Sequence, residues 1–182
     1  MINNRENFIN EVNSFLRSEG KGMLISENHI NEKHRLLIAL IDKIYINSTI
    51  LFRTDELSNI TEYFKFHTMN TPTAGETIKF GHNFYQFDSY ASEDSWSMTS
   101  EKLRIAIVYP IDQIKNNPIA LQSIDDLYTN KEVDKVFFIS HLNYKESDFS
   151  FLSRYIQRKC ILDLIIENSR YFYQTSNSEG NT

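Results

Sequence analysis

The chain has 182 residues, of which 41% are hydrophobic and 24% charged, an ordinary globular composition long enough to bury a core in one domain. Its formal charge of −5 does not favour a broad nucleic-acid surface, which needs clustered Lys and Arg. No apolar run approaches the roughly 20 residues of a membrane helix, and the single cysteine, Cys160, excludes an intrachain disulfide and a thiolate metal cage.

The first residues, Met1 to Glu6, lack the charged-then-apolar layout of a secretory signal, so a cytoplasmic location is expected. Phe8, Val12, Phe15 and Leu16 fall at helical spacing and predict a helix over 7–17, stopped by Gly20 and Gly22. Residues 22–26 read as a short buried strand. A polar loop follows, and Asn31 would cap a helix starting near Lys33, with Leu37, Leu40, Ile41 and Ile44 as its apolar stripe. A strand over 48–53 and a helix over 55–66 come next. Residues 77–80 and 83–87 alternate around Gly81 and His82, the pattern of a hairpin. Residues 89–100 read as a loop or short helix, 103–109 and 133–140 as buried strands, and 118–128 and 147–158 as helices. Residues 160–166 fit a strand or a continuing helix equally. The polar tail 175–182 is expected to be disordered, leaving 1–174 as one domain. Strands alternating with helices predict an α/β fold: a mostly parallel sheet flanked by helices, with an antiparallel hairpin near 77–88 at an edge or as an insertion.

The stretch 21–53 has the layout of a phosphate-binding βαβ unit. Its loop matches the spacing of G-x-x-x-x-G-K-[ST], with Glu27, Glu32, Lys33 and His34 at the defined positions. In a working loop, glycines let backbone N–H groups turn to the phosphates, the lysine reaches the outer phosphates and the hydroxyl holds Mg²⁺. Here both glycines are glutamates, which add bulk and repel an anion. Glu32 would also occupy the positive end of the helix dipole. His34 is a poor ligand for a hard ion that prefers oxygen. The strand 103–109, where a second motif would end in a metal-holding Asp, ends instead in Tyr109, with Asp112 past Pro110.

On these residues the chain resembles a RecA-like P-loop NTPase domain with degenerate nucleotide motifs, over 21–166 as an order of elements. In that family the loop binds ATP and a carboxylate assists hydrolysis. Of the loop residues only Lys33 carries over, as a remnant contact. The resemblance therefore implies a non-catalytic domain with no cofactor, acting as an adaptor or regulator. Ser140 and His141 end a buried strand, where α/β sheets place ligand-contacting residues, and a polar residue there senses the γ-phosphate in P-loop enzymes. A strand that simply turns polar at the surface reads the same way. Lys33, His34, Ser140 and His141 are the ligand-binding candidates, and an enzyme or nucleotide switch with an altered phosphate site is the first alternative.

A metal-dependent nuclease is the second. Asp88, Glu93, Asp94 and Glu101 are its acids, with Asp112 further on, yet Glu101 and Lys102 are adjacent and on a strand would face opposite ways. The histidines, His29, His34, His67, His82 and His141, show no zinc spacing, and no metal is expected. Arg154, Arg158 and Lys159 read as a solvated side of the last helix, with Lys145 before it. The aromatics make up 13% of the chain and cluster at Phe80, Phe84, Tyr85, Phe87 and Tyr90 and again at Tyr171, Phe172 and Tyr173. A hairpin aromatic on both faces leaves one face in need of a cover, so Phe84, Tyr85, Phe87 and Tyr90 are candidates for an interface with a protein partner or a second copy. Nucleic acid and membrane are not expected partners.

Overall fold

The computed structural model describes residues 2–3, 5–27, 33–64, 70–143 and 148–162. Its strands are β1 (Ile2–Asn3), β2 (Gly22–Glu27), β3 (Thr49–Thr54), β4 (Thr77–Phe80), β5 (Asn83–Ser89), β6 (Lys102–Val108), β7 (Glu132–Asn143) and β8 (Arg158–Leu162). They form one sheet in the order β1-β8-β2-β7-β6-β3-β5-β4. Every neighbouring pair is parallel except β4 with β5. This is the α/β sheet the alternating pattern implies, and the hairpin lies at its edge.

The helices are α1 (Arg5–Leu16), α2 (Lys33–Ile44), α3 (Ile60–Phe64), α4 (Glu93–Trp96) and α5 (Pro118–Thr129). Each central strand sends alternate side chains to opposite layers. Met23, Ile25, Phe52, Ile107, Phe137 and Ile139 meet α1, α2 and α3 on one side. Leu24, Leu51, Ala106, Val108, Val136 and Phe138 meet α5 and residues 149–155 on the other. α5 starts at Pro118, and the Asn117 side chain accepts hydrogen bonds from the amides of Ile119 and Ala120 at 3.1 and 3.2 Å, an N-cap that fixes the helix start.

The hairpin is docked onto α2 by Asp42. Its carboxylate accepts from the His82 amide at 2.5 Å and from His82 Nδ1 at 2.9 Å. Gly81 turns the chain with φ +60, and a Cβ there would stand 2.3 Å from Asp42 Oδ1. Glycine is therefore required at this turn both by its backbone and by its neighbour.

Three expectations change, and one left open between two alternatives is settled. Residues 147–158 do not form a helix: among the described ones, Ser150–Leu152 make a single 3-10 turn and β8 begins at Arg158. Leu152 and Tyr155 are buried from that one turn. Gln157 then ties the chain to β2, its amide donating to the Gly22 carbonyl at 2.9 Å and its side chain accepting from the amides of Lys21 and Gly22. Arg158 and Lys159 consequently sit on a strand, and Arg154 pairs with Asp125 at 2.8 Å. Second, Leu57, Ile60 and Phe64 belong to a 3-10 turn, Leu57–Asn59, followed by the short α3. Third, residues 160–162 resolve as strand, paired with β2 on one side. Fourth, Tyr85, Phe87 and Tyr90 are core residues at 0%, 0% and 2% exposure, and only Phe84 is half-buried. Phe64 of α3 covers the hairpin's aromatic face, its ring edge-on to Phe80, Tyr85 and Phe87 at 5.5–5.6 Å. The expected polar loop 28–32, with His29, Asn31 and Glu32, lies outside the described residues. So do His67, Lys145, Tyr171, Phe172, Tyr173 and the tail 175–182.

Candidate functional site

From β2 the chain crosses through α2, on the α1–α3 side of the sheet, to β3. From the adjacent β7 it crosses through residues 149–155, on the other side, to β8. The connections leaving these neighbouring strands diverge, so their C-terminal ends flank a crevice at a topological switch point, the place where open α/β sheets bind ligands. Lys33 and His34 open α2, Ser140 and His141 lie towards the end of β7, and Tyr109 joins the two, its ring on His34 and its hydroxyl 3.0 Å from His141 Nδ1.

Lys33 and His34 are 1% and 2% exposed. His34 Nε2 meets the Tyr63 carbonyl at 3.0 Å, which makes Nε2 the protonated nitrogen, while Nδ1 is buried with no hydrogen-bond partner. Burial lowers the His34 pKa to about 4, so the ring is neutral at physiological pH. The imidazole stacks on Tyr109, ring centroids 4.6 Å apart and planes inclined by 25°. Tyr109 follows β6 directly and is 1% exposed; burial holds its hydroxyl above the ordinary phenol range. That hydroxyl lies 3.0 Å from His141 Nδ1. Asp112 closes the arrangement: Ser140 Oγ donates to its Oδ1 at 2.6 Å, and the His141 amide donates to its Oδ2. Ser26, at the end of β2, is buried with an unpartnered hydroxyl.

The acids of the nuclease alternative lie apart. Asp88 is fully buried and gives both carboxylate oxygens to Arg53, at 2.8 and 2.7 Å. Arg53 also donates to Asp126 at 2.9 Å and lies 5.3 Å over the Trp96 ring. Glu101 precedes β6 and Asp112 follows it, at opposite ends of a seven-residue strand about 23 Å long. Among the described residues no group of three or more His, Cys, Asp or Glu side chains is placed to hold a metal.

Sequence reasoning missed Tyr63, which supplies the carbonyl for His34, and the bond between Ser140 and Asp112. It also missed the Arg53–Asp88–Asp126 cluster, for which a charged residue inside an otherwise apolar strand was the available signal. Searches against protein-family models, curated proteins and solved structures find no match to this chain.

Proposed function

We propose that the chain is a P-loop-like α/β module that does not operate on Mg²⁺-nucleotide and acts through interaction with a protein partner. The observation that carries this reading is the His34–Tyr109 stack. In the resemblance, position 34 is where a hydroxyl would hold Mg²⁺, and position 109 is where a metal-holding carboxylate would end its strand. Here the two positions carry rings packed on each other and shielded from water. A neutral imidazole and a protonated phenol offer a hard cation neither charge nor the oxygen set it prefers.

The interaction half of the reading is supported by the surface beside this crevice. An apolar slot of about 400 Å³ lies between α2, α3 and the hairpin, walled by Ile38, Phe64 and Phe80. At the far end of α2, Ile44 and Ile46 are 44% and 69% exposed. Isothermal titration of Mg-ATP and Mg-GTP into the protein is the test. The reading expects no saturable heat from either nucleotide, and saturable binding that Lys33→Ala removes would contradict it.

A second reading, a nucleotide switch with an altered phosphate site, is favoured by one observation. His34 and His141 are linked through Tyr109 beside the strand ends where such a ligand would sit.

A further inference from the structure

The apolar slot and the exposed isoleucines at the end of α2 belong to one stretch of surface. Arg35, Ile38, Ala39 and Asp42 line the slot from α2 at spacings of three and four, so they share one face of that helix. Ile46 follows Asp42 by four residues, just past the helix end, beside the hairpin turn whose Gly81 also lines the slot. Three hydrogen bonds pin this segment. The Tyr45 amide donates to the Ile41 carbonyl at 2.9 Å, the Asn83 side chain to the Tyr45 carbonyl at 2.9 Å, and the Asn47 amide to the His82 carbonyl at 2.8 Å. Ile46, 69% exposed, thus stands between two fixed residues, with Ile44 close by. A large apolar side chain held rigidly in water has the form of an interface anchor, since little freedom remains for it to lose on contact.

The slot suits an apolar occupant. Its charged residues are engaged within the chain: Arg35 donates to the Tyr63 and Glu62 carbonyls, both at 3.1 Å, and Asp42 accepts from the His82 amide and ring. An isoleucine entering there meets Ile38, Phe64 and Phe80. The charges flanking knob and slot are complementary. Lys43, exposed, comes three residues before Ile46, and Glu62, exposed, precedes the slot residue Tyr63 on α3.

We infer that the slot receives Ile46 of a second copy of this chain, in a two-fold dimer whose α2 helices run antiparallel. Knob and slot lie on one face of one helix, so a single two-fold rotation lets each copy give an isoleucine and receive one. The contact is closed, the helix dipoles oppose one another, and Lys43 of each copy faces Glu62 of the other. The inference deepens the interaction half of the proposed function and rests on it, naming this same chain as the partner.

The test is sedimentation equilibrium of the full chain from micromolar to millimolar concentration, which should show a reversible dimer. Ile46→Glu puts a carboxylate on the knob and Ala39→Glu puts one at the slot. Both positions are exposed, so the urea midpoints should stay near the wild type while the dimer dissociation constant rises about tenfold or more. Lys43→Glu and Glu62→Lys should each weaken the dimer, and the two together should restore it, which a dimer formed through another face would not do. A monomer at every concentration, or a dimer indifferent to Ile46→Glu and Ala39→Glu, would overturn the inference. Either result leaves the slot to a protein of another sequence and the proposed function standing, whereas saturable Mg-ATP binding counts against that function and not against the dimer.

Discussion

At position 34 a small hydroxyl would leave the start of α2 open to a metal-bound phosphate; an imidazole fills the space and binds to the structure around it. His34 donates through Nε2 and stacks on Tyr109, while its remaining nitrogen is buried without a partner. Such a ring resists protonation, which gives a pH prediction. Its pKa is lowered to about 4 from an ordinary 6.5, so below pH 6.5 the unfolded chain takes up a proton that the folded one refuses. Stability from this group is complete above pH 6.5 and is lost as pH falls towards 4, by about 3 kcal/mol at most. Urea midpoints between pH 7 and 4 should fall less steeply for His34→Gln than for the wild type; parallel slopes would contradict the assignment. His34 is singled out in the sequence by the loop spacing. Its partner Tyr109 is not, because only the pairing of β6 with β3 and β7 brings that strand end next to α2. Gly81 carries a second prediction at this scale. With φ +60 and Asp42 against the absent Cβ, Gly81→Ala should cost about 1–3 kcal/mol, read as a lower urea midpoint. An unchanged midpoint would show that the turn relaxes freely.

Among the elements, α2 and α5 are legible because their apolar residues keep helical spacing over three turns, and in α5 a Pro and an Asn mark the start. The stretch 147–158 is not. Phe151, Leu152, Tyr155 and Ile156 fit helical spacing, but a single 3-10 turn precedes the burial of Tyr155, and Gln157 then commits the chain to pairing with β2. The hairpin is legible as a hairpin, while its burial is not, since its cover, Phe64, comes from a separate helix that begins only at Ile60, after a 3-10 turn. Between β3, β5 and α5, the Arg53 cluster holds three elements through one buried guanidinium. Asp88→Ala removes its bidentate partner and leaves Arg53 paired with Asp126 alone, which should cost about 3 kcal/mol in chemical denaturation. Arg53→Met with Asp88→Leu should recover part of that loss, because the closest buried pair is replaced by apolar groups of similar volume while Asp126 keeps the charge of Lys131 beside it. A double variant no better than Asp88→Ala would mean that Asp126, not Asp88, dominates the cluster.

For the molecule as a whole, the alternation of buried strands with helices made the α/β class and the edge hairpin legible. The strand order was not, since it depends on which distant strands pair, and with it went the position of the crevice between β2 and β7. No described helix is long and apolar enough to cross a membrane. The central claim of the proposal is that packed rings stand at the start of α2 where a Mg²⁺-nucleotide would need open, charged ligands. The measurement that tests it most directly is the thermal midpoint with and without millimolar Mg-ATP or Mg-GTP, for the wild type and for Lys33→Ala. A nucleotide at 100 times its dissociation constant adds about 2.7 kcal/mol, a plainly visible rise. The account predicts the same midpoint with and without nucleotide in both proteins; a rise in the wild type that disappears in Lys33→Ala would contradict it.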